Sequence, residues 1–155
     1  MLVEFTSAYL NLEGREGRGI VSAAEADTLK RQIAEQLQSF TDPQTGKTIV
    51  RRAYVASDVY LGPQTGNGPD IVLGMNVGYR VSWQTALGGA PAALLEPNRD
   101  AWTVDHLFDP SMVPGIFLSN LKPNRGEVAA QDVAATVLAC SGVEPAVPTR
   151  GRSVL

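Results

Sequence analysis

Ser22-Ala23-Ala24-Glu25-Ala26-Asp27-Thr28-Leu29-Lys30-Arg31-Gln32-Ile33-Ala34-Glu35-Gln36-Leu37-Gln38-Ser39-Phe40 is the stretch from which the fold is read. Ser22 followed by Glu25 is a capping-box start. Ala26, Leu29, Ile33, Leu37 and Phe40 recur at three- and four-residue steps, while Lys30, Arg31, Glu35 and Gln38 fall mostly on the other face. The pattern predicts an amphipathic helix that ends at the turn Thr41-Asp42-Pro43-Gln44-Thr45-Gly46. Ala8 to Leu12 before it and the β-branched run Thr48 to Val55 after it are expected strands. Ile71-Val72-Leu73 and Gly115-Ile116-Phe117-Leu118 are apolar runs bounded by breakers, the pattern of strands buried on both faces. Ala129 to Cys140 reads as a second helix, with Gly142 placed to end it. Apolar strands alternating with helices predict an α/β layered fold, and the 155 residues fit one domain.

Composition narrows the function. Thirteen Lys+Arg against 16 Asp+Glu leave a net charge of -3, which gives no electrostatic reason to expect nucleic acid or an anionic membrane as partner. No apolar window approaches the length of a membrane span, and Glu4 interrupts the start where a targeting signal would be apolar. One cysteine excludes an intrachain disulfide or a Cys-based zinc cluster, and one histidine excludes a site built from several local imidazoles.

Several chemistry-bearing patterns fail on inspection. Gly46-Lys47-Thr48 resembles the end of a phosphate-binding loop, but Thr41 stands where its first glycine belongs and a strand, not a helix, follows. Gly14 to Gly19 carries its glycines in the reverse of the dinucleotide order; Arg15 and Arg18 there suit either an anion or a solvated turn. Cys140 lies beside Val137 and Leu138, where burial is expected over nucleophilic work. His106 stands in Trp102-Thr103-Val104-Asp105-His106-Leu107-Phe108-Asp109, flanked by Asp105 and Asp109. Imidazole and carboxylate together suit Zn²⁺, but a lone loop histidine is more often a surface or packing residue.

Read in succession, the segments resemble a known family. Tyr9-Leu10-Asn11-Leu12-Glu13-Gly14-Arg15-Glu16 with Gly19-Ile20-Val21 comes first, then a helix and Asp42-Pro43-Gln44-Thr45-Gly46. Tyr60-Leu61-Gly62, Pro69-Asp70-Ile71-Val72, Gly78-Tyr79-Arg80, Asp105-His106 and Val113-Pro114-Gly115-Ile116 follow. Asp132-Val133-Ala134-Ala135-Thr136-Val137-Leu138 and Gly151-Arg152-Ser153-Val154-Leu155 complete the order. The succession resembles the C-terminal region of alkaline-phosphatase-superfamily phosphodiesterases, the type I phosphodiesterase/nucleotide pyrophosphatase branch and its phosphohydrolase relatives. The resemblance implies the C-terminal portion of a three-layer αβα sandwich with a mostly parallel sheet. It implies a phosphoester substrate, a two-metal zinc site and a Ser or Thr nucleophile. His106 occupies the place of the last metal ligand, and Asp105 that of a neighbour shaping the site. The family's nucleophile, its early Asp ligand and its Asp-x-x-x-His and Asp-His-Gly ligands belong before Tyr9 and are not in this chain, so no catalytic nucleophile is assigned here. Ala135 replaces the family's usual proline, and Phe5-Thr6-Ser7-Ala8-Tyr9 lacks a spacer found in its Trp-x-x-Thr-x-Ala-Tyr. The resemblance implies a missing N-terminal half, in cis or as a separate chain, without which this chain is inactive. A contrasting expectation is a non-catalytic binding domain that presents Trp83 and Trp102 on the long 74–114 stretch, with Trp83 alternatively closing over the sheet.

Overall fold

The computed structural model describes residues 2–4, 6–86, 89, 92–101 and 108–155. The chain is a mixed α and β protein with two compact units, Met1–Pro114 and Gly115–Leu155. No helix among the described residues is long and apolar enough to cross a membrane.

In the first unit, strands β1 (Leu2–Glu4), β2 (Ser7–Tyr9), β3 (Val50–Val55) and β4 (Ile71–Met75) form one sheet in the order β1-β2-β4-β3. Every neighbouring pair is antiparallel, which corrects the mostly parallel sheet that the resemblance implies. The physical reason lies in the connections. A parallel pair needs a crossover passing over the sheet. Here β3 and β4 are linked through the short helix α2 (Ala56–Val59) and a loop with a 3₁₀ turn at Thr65–Asn67, which return the chain beside itself.

Helix α1 (Ala23–Ser39) starts where the capping box predicts. The Ser22 hydroxyl donates to the Glu25 carboxylate at 2.6 Å, and the Ser22 amide donates to the same oxygen at 3.3 Å. Ala26 and Ala34 are buried, Leu29, Ile33 and Leu37 are partly buried, and the helix packs on β3. The core here is Ile49, Val50 and Met75, with Leu37, Ala53, Leu73, Tyr79 and Val81 packed against it. Gln38 accepts a hydrogen bond from the Ala53 amide at 3.1 Å, so the helix satisfies a backbone donor on the outer edge of β3. The segment from Thr41 to Ile49 is a turn between helix and strand, closed by Gly46 donating to the Asp42 carbonyl at 2.8 Å. This is the geometry that excludes a phosphate-binding loop there. A single-turn helix, α3 (Trp83–Ala86), follows β4.

The second unit is built on helix α4 (Ala130–Cys140) and the C-terminal tail. Its burial is turned round relative to its sequence. Asp132 and Thr136 are buried, whereas Val133, Val137 and Cys140 are exposed. Cys140 is therefore corrected from a core residue to a surface thiol. The buried face is polar because the tail lies against it and uses those side chains, as described below. Gly115–Leu118 forms no strand. Ile116 and Leu118 are 87% and 88% exposed, because no described strand is available to pair with them.

Candidate functional site

Asp105 and His106, together with Trp102, lie outside the described residues, as does the side chain of Trp83. The residue closing the His106 segment, Asp109, is described and is fully buried. It arrives at the end of β4, where its amide donates to the Met75 carbonyl at 3.4 Å. Its carboxylate enters a notch over Gly74. A side chain at residue 74 would place a Cβ only 2.2 Å from Asp109 Oδ2, so glycine there is a requirement of close approach.

The notch is furnished with donors. Tyr54, on β3, donates its hydroxyl to Asp109 Oδ2 at 2.9 Å. The Ser111 amide donates to Oδ1 at 2.9 Å, which caps the 3₁₀ turn Pro110–Met112, and the Ser111 hydroxyl donates to the same oxygen at 2.5 Å. Arg51 Nε in turn donates to the Ser111 hydroxyl at 2.9 Å. Burial pushes the Asp109 carboxyl up, but the donors from Ser111 and Tyr54 outweigh it and hold the group below the ordinary carboxylate range. The same contact acts oppositely on Tyr54, whose phenol is raised by burial first and by its bond to Asp109 second.

Both Asp109 oxygens are thus committed to protein donors. The arrangement suits an anchor. Among the described residues no three His, Cys, Asp or Glu side chains gather as a metal site, so the described donor set does not fit a metal by itself. The cleft of about 500 Å³ along the loop 60–69 is lined by Tyr60, Leu61, Pro63 and neutral polar groups, and holds no acid–base pair.

Three further polar ties join segments that are distant in sequence. Arg15 reaches Asp70 with both terminal nitrogens, at 3.2 and 2.7 Å, and donates to the Leu10 carbonyl at 2.7 Å. The Leu10 amide donates to Asp70 Oδ2 at 2.7 Å. Arg15 is raised above the ordinary guanidinium value, chiefly by its hydrogen bond to Asp70. Its guanidinium is thus ion-paired within the protein rather than simply solvated. The second tie is at Asp42, which accepts from the Gln44 amide, the Thr45 hydroxyl and the Tyr79 hydroxyl at 2.8 Å each. These donors, Gln44 first, lower its carboxyl.

The third tie is in the second unit. Asp132 accepts from the Arg152 amide at 2.9 Å, the Ala129 amide at 2.8 Å and Arg125 Nη2 at 2.6 Å. The two backbone amides, Arg152 ahead of Ala129, are the main cause of its lowered carboxyl. Thr136 donates to the Asp132 carbonyl at 2.7 Å and accepts from the buried Val154 amide at 3.1 Å. Gly151 lies so close to helix α4 that a Cβ would stand 1.9 Å from the Gln131 carbonyl oxygen. The roles of Asp70, Asp109 and Asp132 escape a reading of local sequence. The available signal was each carboxylate's position beside proline or at a helix start.

No protein-family model, no curated protein and no solved structure matches this chain.

Proposed function

We propose that this chain is the C-terminal portion of a metal-dependent phosphoester hydrolase, and that it supplies the last histidine ligand, His106, of a zinc site. On this reading the α and β elements belong to a three-layer αβα sandwich of the alkaline-phosphatase superfamily. The nucleophile and the remaining metal ligands sit in a part of the enzyme that precedes Tyr9, in cis or as a separate chain. The substrate is a small phosphoester. A bound metal of this kind supplies charge stabilisation for displacement at phosphorus, and a neutral imidazole is a suitable ligand for it.

One observation carries the proposal. The segments that bear the resemblance are tied to one another through their own polar residues: Tyr9–Arg15 to Pro69–Asp70, the Asp42 turn to Tyr79, and the Asp132–Thr136 helix to Gly151–Leu155. The exposure of Ile116, Leu118, Val133 and Val137 agrees with a chain that completes a larger body.

The test is capture of the protein from its source cells with an antibody raised against residues 126–155. The proposal expects a species heavier than 16.5 kDa, or a second chain captured with it. The captured material is expected to hydrolyse bis(4-nitrophenyl) phosphate, lose that activity to a chelator and regain it with zinc. His106→Ala in the same protein is expected to abolish zinc retention. A 16.5 kDa chain captured alone, without hydrolysis, would refute the reading.

A further inference from the structure

We propose that helix α4 and the residues leading into it form a peptide-binding seat that reads Gly-x-x-Val in an extended segment, and that two copies of this chain exchange residues 151–155 through it. The segment is held by its main chain. Arg152 gives its amide to Asp132 Oδ1 at 2.9 Å, and its carbonyl accepts from Arg125 at 3.2 Å. Two residues on, Val154 gives its amide to the Thr136 hydroxyl at 3.1 Å, and its carbonyl accepts from the Asn124 amide at 2.8 Å. Such bonding at alternate residues lets the main chain supply affinity while side-chain positions supply specificity. Two positions are read here. Gly151 passes against the Gln131 carbonyl where no Cβ fits, and Val154 is fully buried. Arg152 is exposed, so the position between them accepts other side chains.

The donors and acceptors of the seat are oriented by the helix itself. Asp132 Oδ2 is engaged by the Ala129 amide and by Arg125, which leaves Oδ1 for the segment. Thr136 directs its proton to the Asp132 carbonyl and so presents a lone pair to the Val154 amide. Residues 141–150 bring the chain back from the C-terminal end of α4 to Gln131, and all of them are exposed. Among the described residues, Glu144, Pro145, Ala146, Val147 and Pro148 make no hydrogen bond or ion pair. Opening that connection therefore breaks nothing along 144–148, and the same segment from another copy restores every contact in the seat. Pro145 and Pro148 favour an extended connection, which would span about 30 Å and reach a second copy. No part of this seat depends on His106 or a metal, so it stands apart from the hydrolase reading.

The test uses the full chain, in reducing buffer so that Cys140 cannot link two copies. Warming a concentrated solution to the foot of the unfolding transition and cooling it is expected to yield a dimer, of twice 16.5 kDa, in sedimentation. A synthetic peptide of residues 149–155, in excess during cooling, is expected to fill the seats and lower the dimer yield about tenfold. The same peptide with Gly151→Leu is expected to leave the yield unchanged, and with Arg152→Ala to act like the parent. With Val154→Ala it is expected to need about tenfold more peptide, as the loss of two buried carbon groups implies. Every arm uses the wild-type chain, so no variant has to fold. A chain that stays monomeric through this treatment would overturn the proposal. So would a dimer that the parent peptide leaves intact, which would place the contact on the outer face of α4 at Val133 and Val137 instead. Equal inhibition by the parent and Gly151→Leu peptides would also overturn it, because the seat would then not read glycine.

Discussion

Replacing Thr136 by Val tests the link between helix α4 and the C-terminal tail with almost no change of shape. The threonine hydroxyl makes two buried contacts, giving its proton to the Asp132 carbonyl and accepting from the Val154 amide. The carbonyl keeps its intrahelical partner in the variant, so losing the first contact costs little. The Val154 amide has no such reserve. Its residue is 0% exposed, and an amide buried without an acceptor costs about 1–3 kcal/mol. The added methyl returns less than about 1 kcal/mol of apolar burial. The net loss is therefore about 1.4 kcal/mol, which corresponds to roughly tenfold in an opening equilibrium. Amide hydrogen exchange is the assay: the Val154 amide is expected to exchange about tenfold faster in Thr136→Val, while amides of β4 keep their rates. Thr136→Ser, which retains the hydroxyl, is expected to stay within a few-fold of wild type. If Thr136→Val left the Val154 amide unchanged, the hydroxyl would not be what holds the tail, and the reasoning would be wrong.

Other outcomes follow from the same geometry. Arg15→Met should destabilise the first unit by about 2 kcal/mol in urea unfolding, because it leaves Asp70 buried with one backbone donor in place of a bidentate cation; Arg15→Lys should recover only part of that. The Asp109 carboxyl is lowered on folding, so its contribution is present above about pH 4 and is lost as pH falls through its folded value. The Tyr54 phenol is raised, so its contribution is complete below about pH 10 and is lost as pH rises through its folded value. Stability measured against pH should fall at both ends, and Tyr54→Phe should remove part of the alkaline limb and also shrink the acid limb, because its hydroxyl is one of the donors that lower Asp109. Ile116→Lys and Leu118→Lys should change the stability of this chain by less than about 0.5 kcal/mol while reducing self-association in sedimentation. In the complete enzyme of the proposed function the same substitutions should be strongly destabilising, which makes them a direct probe of missing structure.

Local sequence spoke clearly where structure is local. Helix α1 was legible from its cap and its three- and four-residue steps, because the face that packs on β3 is the face the period marks. Strand β3 was legible as a β-branched run and β4 as an apolar run, but their antiparallel sense was not, since side-chain character does not encode the direction of the neighbouring strand. Gly115–Leu118 has the same apolar character as β4 and yet is no strand here, because a strand exists only with a partner and none is described for it. Cys140 was misread for a related reason: α4 buries Asp132 and Thr136 against the tail, so its apolar residues are not its inner ones. At the candidate site, Asp109 was visible as a neighbour of His106, but its commitment to Tyr54 and Gly74 depends on contacts far along the chain.

The hydrogen bond from the Ala53 amide to Gln38 has a consequence for growth of the sheet. An edge strand with free donors is a template on which further strands can add. At β3 part of that template is occupied by a side chain from the helix packed beside it, so additional strands are disfavoured on that flank. The opposite flank ends at β1, paired on one side to β2 by the register Leu2 to Tyr9. The helix side chain thus acts on the β3 edge as an adsorbed impurity acts on a growing crystal face, occupying a site where the next layer would add.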